Sequence, residues 1–172
     1  MRMLFTSIAL VSFMSIPANL QVATAMPGKA DSNPRPATAM VCGQEGQREI
    51  AKATKQKTVQ AVRTTWKRRL YSCRYHYTNG SIGVSVKELD SVDETTKYFG
   101  AMEKQHGKRA SFSGVGDAGY ITKNGSVVLR KDLNVLFVDV SKLPQTFGTP
   151  PRDRVVAGQA VAGVLIDCWI HG

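Results

Sequence analysis

The chain has 172 residues, 42% of them hydrophobic and 21% charged, an ordinary globular composition with room for one domain and its core. With 7 Pro and 15 Gly it is neither collagen-like nor wholly disordered, and beyond the N-terminus no apolar run reaches the ~20 residues needed to cross a membrane. Its 23 Lys and Arg against 13 Asp and Glu leave a formal net charge of +10, which makes charge the feature that stands furthest above background.

Met1-Arg2-Met3 gives a positive start, and residues 4–16 (LFTSIALVSFMSI) form an apolar stretch of signal-peptide length. Pro17 breaks it and Ala23-Thr24-Ala25 has the small-x-small pattern of a cleavage site, so residues 1–25 are expected to be a signal peptide cut near Ala25. Residues 26–40 (MPGKADSNPRPATAM) have the composition of a flexible linker, and 41–172 are read as a single domain. Cys42 neither follows the apolar stretch directly nor has small residues immediately before it, as a lipidated cysteine requires. The mature chain is therefore expected to be secreted or associated with the cell envelope, without a membrane span.

Export places Cys42, Cys73 and Cys168 in an oxidising compartment, where they are disulfide candidates before they are metal ligands. Three cysteines permit three single bridges, each leaving a thiol over. The favoured pairing is Cys42 with Cys73, tying the start of the first helix to the first strand and leaving Cys168 as a small buried hydrophobe in the last helix.

Residues 43–57 read as a modest first helix with Ile50, Ala51 and Ala53 as its apolar members. Residues 70–78 alternate, Tyr71, Cys73, Tyr75 and Tyr77 on one face and Ser72, Arg74 and His76 on the other, which predicts a half-buried strand. Asn79-Gly80 predicts a type I′ turn into a second strand with Ile82, Val84 and Val86 inward. Ser91 with Glu94 forms a capping box for a helix whose buried stripe is Val92, Thr95, Phe99 and Met102 and whose end is Gly107. Strands are predicted over residues 118–122, 126–130 and 135–140, then a final helix opening at Thr149-Pro150-Pro151 with a wide apolar face down to Trp169. The order α-β-β-α-β-β-β-α predicts an α+β fold, an antiparallel sheet of about five strands covered by helices.

The Cys42-Gly43 pair, the Leu70-Tyr71-Ser72-Cys73-Arg74-Tyr75 strand, the Gly114-Val115-Gly116-Asp117-Ala118 turn, the Leu136-Phe137-Val138-Asp139-Val140 strand and the closing Cys168-Trp169 carry a resemblance. Over residues 41–170 the chain resembles small exported actinobacterial proteins of unknown function, often lipoproteins, with a PsbP-like α/β/α sandwich. The resemblance implies an envelope protein of that fold and no particular reaction.

Gly114-Val115-Gly116-Asp117-Ala118-Gly119 matches the dinucleotide fingerprint GxGxxG, but a strand rather than a helix is predicted after it, so it reads as a turn with Asp117 as a local acceptor. The sequons at Asn79 and Asn124 fall where hairpins need turns. His76, His106 and His171 form no metal pattern, and Asp90, Asp93 and Glu94 suit a helix N-terminus. No catalytic residue, metal site or cofactor is assigned.

What remains is the basic run. From Arg48 to Arg74 there are nine basic residues against one acid, so this stretch carries nearly all of the excess charge. Arg63, Trp66, Lys67, Arg68, Arg69 and Arg74 are the candidate contacts to an anionic envelope polymer or lipid surface, or to an envelope protein. Export makes nucleic acid a poor natural partner, and a monomer is expected. The alternative is a carrier of a small apolar ligand in a pocket between sheet and helices lined by Tyr71, Tyr75 and Tyr77.

Overall fold

The computed structural model describes residues 33–57 and 60–171; the expected signal peptide, its cleavage point near Ala25 and the first part of the expected linker, residues 26–32, lie outside the described residues. The elements are α1 (Pro36–Met40), α2 (Gln44–Thr54), β1 (Gln60–Lys67), β2 (Leu70–Tyr77), β3 (Gly80–Glu88), α3 (Val92–His106), β4 (Lys108–Ser111), β5 (Ala118–Thr122), β6 (Val127–Lys131), β7 (Asn134–Lys142), β8 (Thr146–Phe147), β9 (Arg152–Asp153) and α4 (Arg154–His171). The class is α+β with an antiparallel sheet, but the main sheet has seven strands, not about five, in the order β1-β2-β3-β7-β6-β5-β4. The two unexpected strands, β1 and β4, are its edges, and β8 and β9 pair in a separate ribbon. Edge strands need no continuous apolar pattern, and all four residues of β4 are exposed.

One face of the sheet is packed across its central strands. The alternation of β2 and β3 turns Cys73, Tyr75 and Tyr77 together with Ile82, Val84 and Val86 to this side, where Leu136, Val138, Val127 and Leu129 continue the layer. Helix α4 lies on it through Ala157, Val161, Ala162, Leu165 and Ile166, and α2 packs beside α4 with Ile50 buried. Burying that continuous apolar layer is the main source of stability, at roughly 25 cal/mol per Å². The last five residues of the expected linker form α1 instead, with Thr38 buried, and the first helix stops at Thr54.

Three links tie this N-terminal stretch to the sheet. The Cys42–Cys73 disulfide joins it to β2 with Cα atoms 5.9 Å apart. The Tyr75 hydroxyl, wholly buried, donates to the Val41 carbonyl at 2.6 Å. At the far end of β3 the buried Glu88 carboxylate accepts from the Arg35 backbone N–H at 2.8 Å and lies 3.6 Å from the Arg35 guanidinium.

The opposite face is only half covered. Helix α3 packs on β6 and β7, burying Met102 against Tyr120, Val128, Val135 and Leu89 with Tyr98, Phe99 and Phe137 around them. Ser91 caps it as expected, accepting from the Glu94 N–H at 3.2 Å, but Val92 is 66% exposed, so the buried stripe begins at Thr95. The final helix starts at Arg154 rather than Thr149, its first turn held by the Asp153 carboxylate accepting from the Val155 N–H at 2.7 Å. The β2–β3 connection is Thr78-Asn79, not Asn79-Gly80: Tyr77 pairs with Gly80, and neither connecting residue has positive φ. Gly80 is required by proximity, since a Cβ there would sit 2.5 Å from the Lys142 carbonyl oxygen.

Replacing both bridged cysteines with Ala is expected to lower unfolding stability by about 3–4 kcal/mol through loss of the loop constraint, measured by urea denaturation. A change below about 1 kcal/mol would contradict stabilisation through the unfolded-chain loop constraint. Burial pushes the Tyr77 hydroxyl up to about 12 and the Tyr75 hydroxyl higher still. A folded-state value raised above the unfolded one means stability that is complete below about pH 10 and falls as pH rises past it. The urea midpoint should therefore decline between about pH 10 and 12, and less steeply in a Tyr77→Phe variant; equal slopes would contradict this.

Candidate functional site

The register of β1 on β2 decides which basic side chains act together. Arg63 pairs with Arg74, Thr65 with Ser72 and Lys67 with Leu70, while Thr64 and Trp66 oppose Cys73 and Tyr71. Successive strand side chains alternate between faces, so Arg63, Thr65 and Lys67 belong to the half-covered face and Thr64 and Trp66 to the helix-packed one. The basic run therefore splits: Arg48, Lys52, Lys55 and Lys57 lie in or just after α2 on the far side, where Lys52 ion-pairs with Glu49 at 2.6 Å.

Three adjacent transverse rows run across β1, β2, β3 and β7 on the open face. The first is Lys67, Leu70, Lys87 and Val135; the second Thr65, Ser72, Ser85 and Phe137; the third Arg63, Arg74, Gly83 and Asp139. Cations form the outer rows and hydroxyls the middle one, where Thr65 and Ser72 are hydrogen-bonded at 2.7 Å. Arg74 donates to the Ser81 hydroxyl at 3.1 Å. At the end of the third row burial works against the Asp139 charge, but hydrogen bonds from Ser141 and Ser126 and the nearby Arg74 cation hold its carboxyl below the usual carboxylate range.

Arg68 and Arg69 form the two-residue β1–β2 turn with φ of 53° and 59°, the left-handed conformation that such hairpins need and that Asn-Gly usually supplies. The turn is tied down on all sides. Lys87 Nζ donates to the Arg68 carbonyl, the Glu88 N–H to the Arg69 carbonyl at 2.9 Å, and the Arg69 guanidinium pairs with Asp90 and holds that carboxyl low. Arg68 is exposed, whereas Arg69 is largely covered and engaged.

Beside this turn a groove of about 370 Å³ is lined by Lys67, Arg68, Leu70, Lys87 and Tyr98. Burial and the neighbouring Arg69 cation push the Lys87 ammonium down, with Asp90 and Glu94 pulling the other way.

Of the residues read from the sequence, Arg63, Lys67, Arg68 and Arg74 thus share one open region. Trp66 does not join them: it is half-buried on the other face, its ring centroid 6.5 Å from that of Tyr71. Tyr75 is core, and Tyr77 packs edge-on against Phe147 with centroids 4.8 Å apart, so only Tyr71 of the three strand tyrosines is partly accessible. A ligand pocket at those tyrosines would require the core to repack. The sequence reading passed over Lys87 and Tyr98; the alternation of β3 and its pairing with β2 was the available signal for Lys87, and nothing local marks Tyr98.

Other candidates resolve into structure. Gly116, at φ 69°, would place a Cβ 2.7 Å from the Arg130 carbonyl oxygen, and Asp117 accepts from the Asp132 N–H at 2.7 Å, so the GxGxxG segment is a turn. The free thiol of Cys168 is buried, and burial together with Glu45, Glu49 and Asp167 pushes it up, the reverse of what a nucleophile needs. His106 packs on Phe137 with ring centroids 4.8 Å apart. Among the described residues no group of three or more His, Cys, Asp or Glu is arranged to hold a metal, and no helix is long and apolar enough to cross a membrane. No family model, curated protein or solved structure matches the chain.

Arg63 and Arg74 face each other directly, and like charges so placed oppose folding by a few tenths of a kcal/mol, up to about 1. An Arg63→Gln variant should be slightly more stable than the parent in low-salt urea titrations, the gain shrinking as salt rises. A loss of stability at low salt would mean that Arg63 is instead satisfied within the fold.

Proposed function

We propose that this is a non-enzymatic, exported cell-envelope protein that binds an anionic envelope polymer or lipid surface through the open face of β1, β2 and β3. The observation that carries the reading is the antiparallel register, which gathers Arg63, Lys67, Arg74 and Lys87 on a face that α3 leaves uncovered. Cations set opposite one another on a sheet cost stability, and an arriving polyanion relieves that repulsion while the net positive charge of the exported chain, +9 once Arg2 is removed with the signal peptide, draws it in. In this reading Arg69 acts through the turn it holds rather than by contact, and Trp66 takes no part. The Cys42–Cys73 bridge fits an oxidising compartment and so supports export.

The test is retention of the oxidised protein on anionic and neutral vesicles and on envelope fragments across a salt series. At about 1 kcal/mol per basic residue near such a surface, Arg63→Gln with Lys67→Gln and Arg74→Gln should weaken low-salt retention on the order of a hundredfold. Removing the same charge from α2, as Arg48→Gln with Lys52→Gln and Lys55→Gln, should cost far less. Equal losses from the two triple variants would reduce the effect to net charge, and retention indifferent to salt would remove the electrostatic mechanism.

A further inference from the structure

The backbone of the β1–β2 turn is an unusual place for arginine. Two successive non-glycine residues in the left-handed region cost about 1–2 kcal/mol each, and turn chemistry offers Asn-Gly without that penalty. Strain of this kind persists where surrounding contacts over-determine it, and here Lys87, the Glu88 N–H and Asp90 all hold the turn. The result is a fixed cluster. Lys67 and Lys87 flank Leu70 in one row, Arg68 stands at the turn above them, and Tyr98 of α3 forms the apolar wall of the same groove.

The nearby carboxylates offset this cluster only in part, since the Lys87 ammonium is still held down. Asp90 is engaged by Arg69, and the Glu94 carboxylate accepts from the Asp90 N–H at 3.1 Å. Lys87 therefore carries its charge at a cost set by burial and by Arg69, and an anion placed among the three cations offsets that cost. A carboxylate brings one charge. A phosphate monoester brings up to two and several acceptor oxygens, enough to take Lys67, Arg68 and Lys87 together. Leu70 and Tyr98 leave an apolar strip beside that position, which a free phosphate has no means of covering.

We infer that the groove bounded by Lys67, Arg68, Leu70, Lys87 and Tyr98 is a discrete site for a phosphate-bearing amphiphile, its headgroup among the cations and its chain along Leu70 and Tyr98. This rests on the open face binding anions and adds to it a saturable pocket with a defined ligand class.

The probe is dihexanoyl phosphatidic acid below its micelle concentration, titrated into the oxidised protein and followed by amide and side-chain NMR shifts. Saturation with one ligand per chain is expected, with the largest shifts at Leu70, Lys87 and Tyr98. Inorganic phosphate and dihexanoyl phosphatidylcholine should each bind about tenfold more weakly or worse, since one lacks the chain and the other the exposed dianion. Arg68→Gln and Lys87→Gln should each weaken the probe about tenfold. Because Lys87 also supports the turn, Arg68→Gln, which leaves the Arg68 carbonyl in place, separates loss of contact from loss of fold. Inorganic phosphate binding as well as the full probe would overturn the amphiphile assignment. Salt-sensitive retention on anionic vesicles with no saturable shift would overturn the pocket and leave the surface reading standing; absence of both would overturn the two together.

Discussion

The register in which β1 is held against β2 is the constraint on which the open face depends. A slip of one residue would bring Thr64 and Trp66 to the solvent side and press Arg63 and Lys67 toward Cys73 and Tyr71. An edge strand has one neighbour to fix its position, so the turn must do more than usual. Here it is two residues long, which leaves no slack, and both of its carbonyls are hydrogen-bonded from β3. The Arg69–Asp90 pair then anchors it to the start of α3. The same contacts that align β1 therefore set where Arg68 stands and how deep Lys87 lies.

Two unequal faces follow from the order of the strands. The central strands are covered on one side by α4 and α2 without interruption, and the disulfide, the Tyr75 hydrogen bond and the Glu88 contact clamp the N-terminal stretch over the β2–β3 end of that layer. On the other side a single helix of 15 residues covers only β6, β7 and their margin. The exposed part of that face could not be apolar without becoming an aggregation surface, and charge is the usual protection of an open edge. Protection alone does not call for cations opposite cations, and the proposed function rests on that row.

The central elements were legible in the sequence because their patterns are strong. Ile82, Val84 and Val86 alternate without a break and are all buried, and the Ser91 cap marked α3 to the residue. The Cys42–Cys73 bridge is the pairing favoured from the sequence, where three cysteines left three single bridges open. β1 was missed because its described positions show no alternating run of buried aliphatics, with Thr64 exposed and Trp66 half-buried, and because Arg-Arg is not a turn that composition announces. Thr64, Thr65 and Trp66 are nonetheless strand formers, and read with the alternation of β2 they held the missing signal. Placing the β2–β3 turn one residue late left the faces correct but moved every partner, which concealed that Leu70 lies beside Lys87. The grouping of Trp66 with its basic neighbours failed for a simple reason: adjacent residues on a strand point to opposite sides.

The most direct measurement is cross-saturation NMR of the oxidised protein on anionic lipid nanodiscs at low salt, reading which amide protons lose intensity to the lipid. The account predicts attenuation that alternates along β1 and β2, strongest at Arg63, Thr65, Lys67, Leu70, Ser72 and Arg74, extending to Lys87 and sparing Thr64, Trp66 and α2. Attenuation centred on α2, or shared equally by the two faces of β1, would contradict it.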